Sequence, residues 1–355
     1  MNPLKDRSTA ARAASKTTSA ETSEPLAAYK MPPRRPAWRR ALATSPFYMG
    51  CVLLAMLAVF SLLKPDAFPT VANARNITLD VAMLQVMAVG MTFVIVAGGF
   101  DISIGSILVF SGVVAGKFME NRPDTWSTVI IGTLVCILSG LAWGLWNGWC
   151  IAKLKVPPLI TTLGTLGAAL GAAQLMTNGA DLRTVPTTLF SVTRSRPLGL
   201  SWLVWIAIVL SIVCGLILAF TRYGRHTYLI GSNIESARRA GINVDRHVIS
   251  LYALNGALAG LAGMVSLTRF STTTISGHST DALQVITGVV LGGTSVFGGL
   301  GTLIGTSIGI LIPAVLTNGF VVLNFQPFGQ QIVIGAVLVG AVYLDQLRRR
   351  RRDRI

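Results

Sequence analysis

Asp101 is the residue whose chemistry first needs an account. It lies in GGFDISIGS (Gly98–Ser106), between two long apolar runs, with no lysine or arginine between Arg75 and itself. A carboxylate at membrane depth can contact a solute or an ion. It can equally accept backbone N–H groups at the start of a helix, where the dipole favours negative charge. With Ser103 beside it, the residues favour a capping role, as a brace for a broken-helix turn at Gly98 and Gly99. A solute contact is compatible with that role.

Other polar side chains recur about once per apolar run: Gln85, Asn147, Thr162, Gln174, Asn255, Gln284 and Asn318. Such groups in membrane helices commonly bond a neighbouring helix. Together with Asp101 and Ser103 they also form a candidate translocation pathway, suited to a neutral polyol that needs donors and acceptors rather than charge. His226, His247 and His278 fall in loops or at run ends, and no metal site or proton relay is read from them. No Ser/His/Asp set or carboxylate pair for hydrolysis can be placed in one region.

The glycine-rich run LGGTSVFGGLGTLIGTSIG (Leu291–Gly309) is not a nucleotide-binding loop, because no lysine follows the glycines to grip a phosphate. GVVAGKF (Gly112–Phe118) is one residue short of a P-loop and lacks the Ser/Thr that would hold magnesium. Energy must therefore be supplied by another chain. Gly301, Gly305 and Gly309 recur every four residues and are expected to line one helix face for close packing. The doublets Gly292–Gly293 and Gly298–Gly299 are expected to break helices, which membrane proteins tolerate where protein buries the backbone or it lines a cavity.

The elements that position these residues are apolar helices. Of 355 residues, 52% are hydrophobic and 12% charged, against about a quarter charged in soluble domains, and the mean hydropathy is +0.63. Ten runs are long enough, or nearly so, to cross a hydrocarbon core roughly 30 Å thick. They are Phe47–Leu63, Ile77–Ala97, Ser103–Met119, Ser127–Leu154, Pro158–Met176, Ser201–Phe220, Val248–Leu267, Leu283–Phe297, Thr302–Leu323 and Gln331–Leu347. Leu283–Phe297 is short for a full span, so eight spans stand as the alternative to ten. The fold class is an all-α polytopic membrane protein, with broken or short helices at the glycine-rich segments. Cys51, Cys136, Cys150 and Cys214 lie in apolar runs and read as small buried hydrophobes.

Residues 1–46 are rich in Ala, Ser, Thr and charge, and are expected to be a basic disordered tail rather than a cleavable signal peptide. Residues 47–347 make the membrane domain and 348–355 a second basic tail. An even span count puts both termini on one side, and the positive-inside rule makes that side cytoplasmic. Lys153, Lys155 and the loop Thr221–Arg246 then fall inside as well. The net charge of +16 is concentrated at membrane edges without interleaved aromatics, which fits anionic lipid heads and not nucleic acid.

That loop holds one short capped helix. In GSNIESARRAGINV (Gly231–Val244), Asn233 caps the start and Glu235 lies in the first turn. Ala237 sits mid-helix, Arg238 and Arg239 lie in the last turn, and Gly241 supplies the left-handed stop. A rod of roughly 10 Å is too short to be stable alone. It must lie on lipid heads or serve as a docking knob for a cytoplasmic partner.

Five stretches carry a resemblance: Ala88–Ser106, Thr161–Thr165, Thr221–Val244, Val289–Thr302 and Leu316–Phe320. Across about Leu54 to Asp345, the chain resembles the ribose-type sugar permease family of bacterial ABC importers. The resemblance implies a bacterial inner-membrane subunit that is not an enzyme and binds no cofactor, with ATP and magnesium held by a partner ATPase subunit, present in two copies or as a tandem chain. It implies pairing with a second permease subunit and receipt of a monosaccharide from a periplasmic binding protein. It also places the segment Gly231–Ile242 against the ATPase. The chain departs from the family at STDALQ (Ser279–Gln284), where Ala282 and Gln284 stand in place of an expected glutamate and aspartate. Two other readings remain open from the residues: a branched-chain amino acid permease of the same superfamily, and an ion-coupled secondary transporter using Asp101.

Overall fold

A computed structural model describes residues 45–183, 185–278 and 280–352. The expected tail at 1–46 lies outside these residues, apart from Ser45 and Pro46. Among the described residues the chain is all-helical. The order is α1 (Ser45–Leu63), α2 (Val71–Val96), α3 (Ile104–Met119), α4 (Trp126–Ala152), α5 (Pro158–Thr177), α6 (Thr188–Arg194), α7 (Trp202–Phe220), α8 (Arg222–Ser232), α9 (Ile234–Arg239), α10 (Val244–Phe270), α11 (Asp281–Leu291), α12 (Leu303–Val322) and α13 (Pro327–Arg352). Six of these are long and apolar enough to cross a membrane: α2, α4, α5, α7, α10 and α12. Shorter apolar helices lie within α1, α3, α11 and α13. These ten fall on the ten predicted runs, and the protein is a polytopic membrane protein.

The boundaries differ in instructive places. α2 begins at Val71, six residues before the expected Ile77, because the hydroxyl of Thr70 accepts the Asn73 N–H and nucleates a polar first turn. The run Leu283–Phe297 is not one helix. α11 stops at Leu291, and residues 292–302 return as a turn, with Gly292 at its start. α13 continues through the predicted basic tail to Arg352. Two helices in the expected loops, α6 and α8, were not foreseen.

Packing follows from the apolar patterns. α2 is apolar over its second half on every face, and Ala82–Val96 is wholly buried at the centre of the core. α5 and α7 instead expose much of their apolar surface, including Ile160, Leu175, Ile212 and Phe220. Around this centre the helices approach through small residues. A Cβ built on Gly140 of α4 would lie 2.3 Å from the Gly256 carbonyl of α10. α11 and α12 meet in the same way, with Gly305 and Gly309 of α12 against Gly292 and Gly288. Gly301, grouped with these two on sequence grounds, precedes α12 and is not on that face.

Candidate functional site

Three assemblies account for most of the predicted residues. The first surrounds Asp101. Its Oδ1 accepts the Ser103 N–H at 2.9 Å and the Ser103 hydroxyl at 2.5 Å, while its Oδ2 accepts from Asn255 Nδ2 at 2.8 Å. The Ser103 hydroxyl also accepts from Asn147 Nδ2 at 3.0 Å, and Asn147 Oδ1 accepts from the Thr165 hydroxyl at 2.5 Å. Asp101, Ser103, Asn147 and Asn255 are each fully buried. One hydrogen-bonded chain therefore ties the entry of α3 to α4, α5 and α10. Ser103, not Asp101, occupies the N-cap position, and its side chain makes no cap bond. The carboxylate closes a turn two residues earlier instead, because its reach to the Ser103 N–H is satisfied within the break.

Two further candidates are tied elsewhere. Gln85 donates from Nε2 to Ser211 and Ser307, both at 2.9 Å, linking α2 to α7 and α12. The Thr162 hydroxyl bonds back to the Pro158 carbonyl of its own helix at 3.0 Å.

The second assembly is a cavity of about 640 Å³ walled by α2, α10, α11, α12 and α13. Gln284 and Asn318 are the predicted residues that line it. Sequence reasoning missed its charged members. Arg269 Nη2 pairs with Asp80 Oδ1 at 2.7 Å, and His278 Nδ1 lies 2.6 Å from Asp281 Oδ2. The other ring nitrogen, Nε2, faces the hydroxyls of Thr274 at 2.7 Å and Ser266 at 2.9 Å. Asp80 is an acidic residue in an otherwise apolar run, the same signal that singled out Asp101.

The third assembly lies at the Val96 end of α2, 16 residues and so roughly 24 Å from Asp80. Here the backbone breaks converge. The Gly299 N–H donates to the Val96 carbonyl at 2.8 Å, and the Tyr228 hydroxyl donates to the Gly301 carbonyl at 2.7 Å. A Cβ on Gly231 would lie 1.8 Å from the Val96 oxygen and 2.6 Å from the Gly299 nitrogen. Gly98 packs beside Gly298 at the same point, whereas Gly99 faces the Tyr252 hydroxyl. Gly293 belongs to the turn after α11.

α9 extends from this junction. Asn233 Oδ1 accepts the Ser236 N–H at 2.9 Å. Gly241, at φ +81°, closes the far end, with its N–H on the Arg238 carbonyl and the Ile242 N–H on the Ala237 carbonyl. Ala237 is buried against Ile230 and Val244. Glu235, Arg238 and Arg239 are exposed, the first two paired at 2.8 Å. Asp245, at the start of α10, receives hydrogen bonds from Lys155 at 2.9 Å and Lys153 at 3.3 Å. The Lys155 bond leads in holding its carboxyl below the usual range.

Residues 73–342 match the family described as "Branched-chain amino acid transport system / permease component". The ribose import permease protein RbsC of Escherichia coli (strain K12) is 36% identical over 297 residues, spanning 82% of this chain and 91% of that protein. The L-arabinose ABC transporter permease protein AraH of Azospirillum brasilense is 34% identical over 301 residues, 85% of this chain and 87% of its own. The xylose transport system permease protein XylH of Escherichia coli (strain K12) is 28% identical over 375 residues, 88% and 94% of the two chains. No solved structure matches the chain. Since the family match covers most of the sequence, the chain belongs to this family of transport-system permease components.

Proposed function

We propose that the protein is the membrane-spanning subunit of a bacterial ABC importer that translocates a monosaccharide of the pentose class. One observation carries this reading: identity of 32–36% to ribose and arabinose permeases across 82–85% of the chain. Those relatives take sugars, which favours a sugar here over a branched-chain amino acid. The chain itself performs no hydrolysis. ATP and magnesium are held by a pair of ATPase chains, a periplasmic binding protein delivers the sugar, and two permease subunits assemble in the inner membrane with both termini in the cytoplasm.

The geometry supports a route for coupling. α9 is a short rod with an exposed charged face, seated through Ala237 on the bundle. Its neighbour α8 touches both the end of α2 and the turn between α11 and α12 through bare backbone at Gly231. Movement imposed on α9 by the ATPases thus reaches α2, α11 and α12 without side chains to absorb it. Such coupling requires that the two states of the gate differ in contacts at α9. The Asp101 assembly holds the entry of α3 as a fixed frame.

The test is uptake of D-ribose, L-arabinose and D-xylose by cells stripped of their own pentose importers. The chain would be expressed with its ATPase and binding protein. ATP-dependent accumulation of at least one of the sugars is expected. Accumulation without the ATPase would overturn the reading.

A further inference from the structure

The cavity between α2 and α11–α13 carries chemistry that the coupling reading leaves unused. Its acidic groups are already engaged: Asp80 by Arg269, and Asp281 by His278. The other polar side chains of its wall are neutral. Gln284 is 8% exposed, and its side-chain amide makes no hydrogen bond with the described residues. Thr317 and Asn318 line the same wall, with Asn318 Nδ2 donating to Asn73 Oδ1 at 3.0 Å, while the Thr317 hydroxyl and Asn318 Oδ1 are sealed from the cavity without a partner. A buried polar group left unmatched costs free energy until something bonds it. Phe270, 43% exposed, adds an aromatic ring to the same wall. The volume falls inside the roughly 300–1,000 Å³ of small-molecule sites.

We infer that this cavity is a solute-binding site of the permease itself, taking an uncharged polyhydroxylated ring. The hydroxyls would meet the Gln284 amide, in a wall that Thr317 and Asn318 complete, and the C–H face would lie on Phe270. A charged solute finds no uncommitted partner among the charged side chains of the described wall, because Asp80 is taken by Arg269 at 2.7 Å and Asp281 by His278 at 2.6 Å. The two helices that supply these amides, α11 and α12, are joined by the turn that packs on α8. An occupant would therefore touch the helices whose connection α9 can move. This inference rests on the sugar-permease reading and specifies where in the chain that reading acts.

The test is protection of introduced cysteines in the same cells, with chain, ATPase and binding protein present. Gln284→Cys, Thr317→Cys and Asn318→Cys would be reacted from outside with a membrane-impermeant methanethiosulfonate. Labelling of the unmodified chain sets the background. The probe is whichever of D-ribose, L-arabinose and D-xylose the cells accumulate, at millimolar concentration, with sucrose as the control. Labelling of these cysteines should slow at least threefold in the transported sugar and not in sucrose. Leu198→Cys, at an exposed position of an α6–α7 connection, should not respond. Equal rates with and without the sugar, or no labelling at all three positions, would overturn the site while leaving the uptake result standing. Absence of uptake by the wild type overturns the substrate reading and the site with it.

Discussion

The amide of Gly299 donates to the carbonyl of Val96 at 2.8 Å, and a β-carbon on Gly231 would collide with both groups. Three chain segments far apart in sequence thereby share one backbone contact. It exists because residue 231 lacks a β-carbon. Gly231→Ala places a methyl group 1.8 Å from the Val96 oxygen, and backbone cannot step aside as a side-chain tip can. The expected cost reaches or exceeds about 3 kcal/mol, the upper range for overpacking. Uptake should fall below a tenth of wild type. Gly164→Ala, which meets nothing within 4 Å, should leave uptake unchanged in the same assay.

Asp101 offers a separation of charge from hydrogen bonding. In Asp101→Asn, the Ser103 donors still find an oxygen. Asn255, whose Oδ1 has no partner, can turn its amide to accept from the new Nδ2. Asp101→Ala leaves the Ser103 N–H and Asn255 Nδ2 buried and unpaired, at about 1–3 kcal/mol for each such group. The alanine variant should therefore unfold several degrees below wild type in detergent, and the asparagine variant should lose less than half as much. ATP-driven uptake should persist in Asp101→Asn. Dependence of uptake on the carboxylate and on an ion gradient would instead revive the secondary-transporter reading.

Much of this architecture is legible in the residues, and the remainder fails for definable reasons. The apolar runs locate ten helices because hydropathy depends on composition alone. The α9 caps at Asn233 and Gly241 are local and so can be read locally. The partners of Asp101 could not be read. Asn255, which bonds Asp101, is 154 residues from it, and Asn147, which bonds Ser103, is 44 residues from that serine, and either amide could equally have faced a solute. Arg269 and Asp80 are not joined by any sequence signal, because they lie 189 residues apart and only the packing of α10 on α2 brings them together. α11 ends where the Gly292–Gly293 doublet is expected to break a helix, whereas the apolar Val296 and Phe297 carry the hydropathic run past that break.

The Asp80–Arg269 pair closes one wall of the cavity, with the arginine side chain 12% exposed and the aspartate 35%. Its strength should fall between the surface and buried limits, about 1–2 kcal/mol. Arg269→Gln and Asp80→Asn should each lower the unfolding temperature. The double variant should be more stable than the sum of the single losses predicts. A double-mutant cycle on thermal unfolding reads the coupling directly, and strict additivity would show that the pair contributes nothing.

Asp245 gives a pH dependence with a definite sign. Hydrogen bonds from Lys155 and then Lys153 lower its carboxyl below the ordinary value of 3.8. A depressed pKa contributes stability above the unfolded value, and that contribution disappears as pH falls through the folded one. The tie between the α4–α5 connection and α10 should be intact at neutral pH and lost on acidification below about pH 4. Asp245→Asn should remove the dependence. Protease nicking at Lys153 and Lys155 should be faster at pH 7 in the variant than in the wild type, and indistinguishable rates would show that the tie does not hold the loop.

Glu235 and Arg238 test whether α9 is a docking element or only a surface turn. Their ion pair is exposed, 61% on the glutamate and 47% on the arginine, so its contribution to folding is close to nil. α9 is held by the Asn233 cap, the Gly241 stop and buried Ala237, none of which depends on these charges. Glu235→Arg and Arg238→Glu should therefore leave the amount of chain in the membrane and its unfolding temperature unaltered. An ATPase surface complementary to this face would meet repulsion in place of attraction. Sugar-stimulated ATP hydrolysis should fall at least fivefold in each variant, while basal hydrolysis by the ATPase persists. If both reversals left the stimulated rate at wild-type level, force would have to enter the bundle elsewhere, and the glycine contact at Gly231 would be packing alone.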